Sequence, residues 1–156
     1  MQKNLKWCAK LKDGLRITEP DHGLARSYLN EAKASLERAE KNLQEHDLLW
    51  ATVVLYYAEY YALYSFLQKI GIKCENHFCS ILAVEKLLGK TKTETINDHK
   101  DKRIDAQYYM RTGKEEEIKT MLAKAKIFVT EFDSLTLSLS DKEIKDYRKK
   151  FMQLLK

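Results

Sequence analysis

The chain has 156 residues, a formal net charge of +5, one proline and five glycines. That length implies a single domain large enough to bury a core, and so few turn-formers exclude an all-β or a disordered chain. High Lys, Glu, Leu and Ala favour helix, and the mild positive charge permits a nucleic acid or an acidic partner without requiring one.

Residues 1–19 form a basic N-terminal segment, with Lys3, Lys6, Lys10, Lys12 and Arg16 against Asp13 and Glu19. Leu5, Cys8 and Leu11 have the spacing to lay one short helix on a core, and Gly14 and Pro20 interrupt anything longer. No apolar signal region opens the chain, so the expected location is cytoplasmic. Three cysteines are an odd number, and in a reducing compartment free thiols are the simplest account.

Residues 20–139 carry the main body. The first long helix starts near Asp21, an N-cap after Pro20. Leu24, Tyr28, Ala32, Leu36, Ala39 and Leu43 make its apolar stripe, with Glu31, Lys33, Glu37, Arg38, Glu40 and Lys41 on the solvated side. Leu48–Leu67 follows, twenty residues with one charge, Glu59, and five tyrosines. Such a run is long enough to span a bilayer. A mid-span carboxylate costs about 2.5–3.5 kcal/mol there, and no second apolar span accompanies it. Strands seldom reach this length. The expectation is therefore a helix buried on nearly all sides, capped by Asp47 and ended by Gly71. Ala51, Leu55, Ala58, Ala62 and Ser65 form a mostly small face, and Trp50, Val54, Tyr57, Tyr61 and Tyr64 an aromatic one. Two such faces predict a central helix or one shared between subunits.

A third helix fits Asn76–Leu88, with Gly89 as its stop and a polar loop over 90–95. A fourth fits Glu94–Arg111, with Ile96, Ile104 and Tyr108 on its buried side. Lys114 to Leu135 is strongly amphipathic. Residues 140–156 make a last helix, opened by the capping box Ser140-Asp-Lys-Glu143.

Cys74, His77 and Cys79 invite a zinc reading, but their spacing fits no standard knuckle and no fourth ligand accompanies them. No metal and no cofactor are expected. Arg16 and His22 straddle Pro20 and share no helix face, so their proximity is read as chance. On the fourth helix, His99, Arg103, Gln107 and Arg111 recur every four residues and line one polar stripe. Lys100 and Lys102 add charge, and Tyr108 and Tyr109 offer rings on which bases stack. The stripe reads either as a groove for RNA or a nucleotide, or as an ordinary solvated face. Glu59 shares a line with Thr52, Leu55, Leu63 and Phe66. It must reach the rim or find a cation, and Arg103 is one candidate.

Three stretches resemble the HEPN domain family of prokaryotic helical proteins. Tyr56-Tyr57-Ala58, within Ala51–Ala62, is similar to the family's YYA helix. Gly71-Ile-Lys-Cys-Glu-Asn-His77 looks like its turn and His-containing third helix, and Arg103-Ile-Asp-Ala-Gln-Tyr108 like its Arg-x-x-Ala-Asp-Tyr segment. With the helix order, the resemblance covers roughly Asp21 to Leu135. It implies an all-α, up-and-down antiparallel bundle, usually a homodimer, sometimes paired with a minimal nucleotidyltransferase antitoxin. Ribonuclease members carry Arg, four to six residues, then His, acting without metal. Here Tyr108, Tyr109 and Met110 occupy the histidine positions and Gln107 replaces the aspartate. The resemblance thus implies a module that binds RNA, a nucleotide or a partner protein without that nuclease motif. The alternatives are an RNase toxin using Arg103 with His99 or a tyrosine, or a purely structural dimeric module. The candidate binding residues are Arg103, Tyr108, His99, Gln107, Arg111 and Lys102, supported by Glu59 and His77.

Overall fold

The computed structural model describes residues 2–156. Its axis is α3, Leu48–Ile70, the long apolar run. The side chain of Asp47 accepts from the Trp50 amide at 3.2 Å, supplying one of the acceptors that a helix start lacks. At the other end Gly71 turns into the left-handed region at φ 80°, as a C-terminal stop requires. Arg148, on the last helix, donates to the carbonyls of Thr18 and Ile70, each at 2.8 Å. A cation therefore sits on the negative end of α3, and a Cβ at Gly71 would strike it.

Around α3 stand α2 (His22–Gln44), α4 (His77–Leu88), α5 (Glu94–Tyr109), α6 (Glu115–Ser138) and α7 (Asp141–Leu154). Ala51 and Leu55 of α3 pack with Ala39 and Leu43 of α2 and with Ile118, Met121, Leu122 and Ala125 of α6. The small face thus lets two helices approach closely. Within one chain 16 of the 23 residues of α3 are buried, while Trp50, Val54, Tyr57 and Tyr61 of its aromatic face stay partly exposed. Among the described residues no helix is long and apolar enough to cross a membrane. The architecture is an all-α bundle.

Most helix limits follow the local signals. Asp21 and Asn76 cap α2 and α4 through their side-chain oxygens, at 2.9 and 3.0 Å. Both bonds of the Ser140–Glu143 capping box form, each at 3.1 Å. Two limits differ from expectation. A 3-10 turn, Lys90–Lys92, occupies the expected loop. And α5 ends at Tyr109, because Met110 adopts a left-handed conformation at φ 54°, leaving Arg111 outside the helix.

The N-terminal segment is built into the bundle. α1 (Leu5–Lys10) buries Leu5 and Cys8, and β1 (Arg16–Ile17) pairs antiparallel with β2 (Ile72–Lys73) just after Gly71. The expectation of three free thiols is corrected. Cys8 is bonded to Cys79, with Cα atoms 5.7 Å apart, and Cys74 alone is free and buried. The reason is tertiary: α1 lies across the start of α4, bringing together two thiols 71 residues apart.

Candidate functional site

The centre of interest is the face that α5 turns toward α3. Of the expected buried line Ile96, Ile104 and Tyr108, only Ile96 is fully buried. α5 buries Ile96, His99, Arg103 and Ala106, while Tyr108 is 66% exposed. The helix is rotated because α3 offers polar and aromatic partners for a histidine and an arginine, which an apolar periodicity count overlooks.

His99 is the inner member. Its Nδ1 lies 2.8 Å from Glu59 Oε1, and both side chains are almost wholly enclosed. Glu59 thus takes His99, not Arg103, as its partner. The second oxygen, Oε2, has no hydrogen-bond partner. Burial pushes the Glu59 carboxyl up to about 7, with the bond from His99 pulling the other way.

Arg103 lies one turn further along. It is 7% exposed. Its guanidinium carbon sits 4.8 Å from the Tyr56 ring centre, 5.7 Å from that of Tyr57 and 5.9 Å from that of Tyr108. Nη1 donates to Gln107 Oε1 at 3.2 Å, and Nε is buried without a partner. Three rings and one amide therefore fix the plane of the guanidinium, and among the described residues no carboxylate pairs with it.

Behind it, Tyr56 Oη lies 2.9 Å from His77 Nδ1, and the His77 ring stacks on Tyr60 at 3.8 Å. Tyr60 continues to Ser80 Oγ at 3.0 Å. Burial, with the Arg103 and Lys100 charges, drives His77 down to about 4, so its ring is neutral at pH 7. Burial also pushes the Tyr56 phenol upward, against the pull of Arg103.

The remaining candidates divide. Lys102 is tied to Glu117 at 2.9 Å and Asp98 at 3.5 Å. Arg111 stands by Tyr109, 5.8 Å from its ring centre. Both line a separate hollow between α5 and α6 with Thr52, Asp105 and Glu117, so Arg111 does not extend the Arg103 line. The Cys74–His77–Cys79 group does not converge, since Cys79 is in the disulfide and His77 faces Tyr56. In the sequence Tyr56 stands out only within a family motif, and Tyr60 only as one of the five tyrosines of the apolar run. The signal for both was their spacing of four on α3, the length of one turn.

The chain is thus an all-α bundle with an arginine of α5 seated on a Tyr-Tyr-Ala turn of the central helix. The family model for the HEPN domain matches residues 25–135, and the chain belongs to that family. No curated protein and no solved structure gives a match.

Proposed function

We propose that this HEPN domain binds RNA without cleaving it by the family's Arg-His motif, with Arg103 as the phosphate-engaging group. The observation that carries the reading is the state of Arg103. It is clamped over Tyr56, Tyr57 and Tyr108 and has no carboxylate partner. A guanidinium held this way offers a planar fork to a phosphate at little further loss of side-chain entropy. Tyr108, 66% exposed beside it, supplies a ring for an unstacked base.

The absence of a suitable imidazole supports the non-cleaving half. His99 is enclosed and committed to Glu59. His77 is the imidazole near Arg103, but at about 4 its pKa makes it a weak base and leaves it unprotonated as an acid at neutral pH. The reading extends to a homodimer and to a nucleotidyltransferase partner of the toxin–antitoxin kind. Family membership is the support for both. The test is titration of the protein with a single-stranded oligoribonucleotide at low and moderate salt, with Arg103→Ala as control and intact RNA recovered afterwards. Binding absent at low salt, or cleavage lost in Arg103→Ala, would replace this reading with an interaction module or an RNase respectively.

A further inference from the structure

A second cluster lies where α1 crosses the start of α4. Trp7 and Phe78 meet edge to face, with ring centres 6.3 Å apart. Phe78 is 38% exposed. Lys3 Nζ stands 5.6 Å from the Trp7 ring centre and 5.9 Å from that of Phe78, and Lys100 Nζ stands 5.3 Å from that of Phe78. Trp7 precedes Cys8 and Phe78 precedes Cys79 in sequence, so the disulfide welds the two backbones directly behind the two rings.

Among the described residues neither Lys3, Lys100 nor Arg103 forms an ion pair. Burial weighs most against the Lys100 charge, Asp101 favours it, and Arg103 and Lys3 weigh against it. Like charges held together without an ion-pair partner cost free energy in the unliganded protein. A ligand bearing several negative charges would remove that cost, and rings beside the cations suit flat bases between phosphates.

We propose that the Trp7–Phe78 corner is a second subsite on the path of one single-stranded nucleic acid, taking a base on the rings and flanking phosphates on Lys3 and Lys100. The inference rests on the RNA-binding reading of Arg103 and adds the strandedness of the ligand and its course toward α1. A base inside a duplex cannot reach the rings, so duplex of the same sequence is the poor ligand.

The protein has two tryptophans, Trp7 and Trp50. In the Trp50→Phe variant Trp7 fluorescence reports the corner alone. The probe is oligouridylate of about a dozen nucleotides, within the span that single-strand sites cover. Expected are quenching of Trp7 that follows the binding curve measured independently with labelled RNA, and about tenfold weaker binding in Phe78→Ala, the order of one lost stack. The Lys3→Gln/Lys100→Gln double variant lowers the salt slope of log K by about 1.4, two phosphates at about 0.7 each for a single strand. If the oligonucleotide binds, and loses affinity in Arg103→Lys, while Trp7 fluorescence and the double variant stay unchanged, the corner is not a subsite and the Arg103 reading stands. If duplex binds as tightly as single strand, the stacking role is wrong. If nothing binds at low salt, the Arg103 reading fails and this subsite with it.

Discussion

His99 meets Glu59 across 2.8 Å in the interior of the bundle, with the second carboxylate oxygen left without a partner. This contact fixes the rotation of α5, because a buried carboxylate that loses its one hydrogen-bond donor is costly. Arg103, a turn later, then falls over Tyr56 and not into solvent. Glu59→Ala should destabilise the fold by about 2–5 kcal/mol, the cost of a large-to-small change in the core that also leaves His99 without its partner. Glu59→Gln, which keeps an acceptor for His99, should cost much less. Urea denaturation of the two variants measures the difference.

The pH dependence follows from opposite shifts. The folded Glu59 carboxyl titrates near 7, above its ordinary 4.5. The folded state therefore binds the extra proton between these values, and this contribution to stability is full below 4.5 and lost as pH rises through about 7. His77 is depressed from 6.5 to about 4. Its contribution is present above 6.5 and lost as pH falls through about 4. The two oppose each other between pH 4.5 and 6.5. Glu59→Gln should leave a stability that rises more steeply with pH across that window than the unsubstituted protein, by at most about 1.4 kcal/mol per pH unit for one proton. Denaturant midpoints at pH 5 and pH 7 read the change, and a shallower rise in Glu59→Gln would show that the carboxyl is not the group lifted.

The Cys8–Cys79 bond closes a loop of 71 residues. Chain-entropy arguments assign such a loop about 4 kcal/mol of stabilisation through the unfolded state. Cys8→Ala/Cys79→Ala, or reduction, should lower the denaturation midpoint accordingly, and α1 should lose amide-exchange protection before α3 does. Mass spectrometry of peptides from the non-reduced protein, showing Cys8 joined to Cys79 and Cys74 alkylated only after unfolding, checks the pairing.

Gly71 is held at φ 80° against Thr18 and Arg148. Gly71→Ala should cost more than the roughly 1–2 kcal/mol of a left-handed alanine, since Arg148 must also leave the carbonyls of Thr18 and Ile70. Thermal unfolding of Gly71→Ala and Arg148→Ala should show losses that are not additive, because both break one junction.

How far the sequence discloses this molecule depends on whether each determinant is local. Asp47, Gly71, Asn76 and the Ser140–Glu143 box act on chain a few residues away, and they mark their helices correctly. The single charge in an apolar run identifies Glu59 as needing a partner, but the partner lies 40 residues on. Apolar periodicity then misplaces the buried face of α5, since that face is held by a histidine and an arginine. The strand pair β1–β2 is two residues per strand and set by the turn at Gly71, too short to leave a pattern. Arg103 was legible through the family motif. Its seat on Tyr56 and the Trp7–Phe78 corner were not, because they arise where segments distant in sequence cross.

The proposed role of Arg103 is that of a fixed phosphate fork. It is tested most directly by comparing the affinity of the unsubstituted protein and Arg103→Lys for a single-stranded oligoribonucleotide across a salt series, with thermal unfolding run in parallel. Arg103→Lys keeps the charge and loses the planar fork. The account predicts binding that weakens steeply with salt, about tenfold weaker affinity in Arg103→Lys, and a melting temperature within a few degrees of the unsubstituted protein. Equal affinity of the two proteins, with the fold intact, would contradict it.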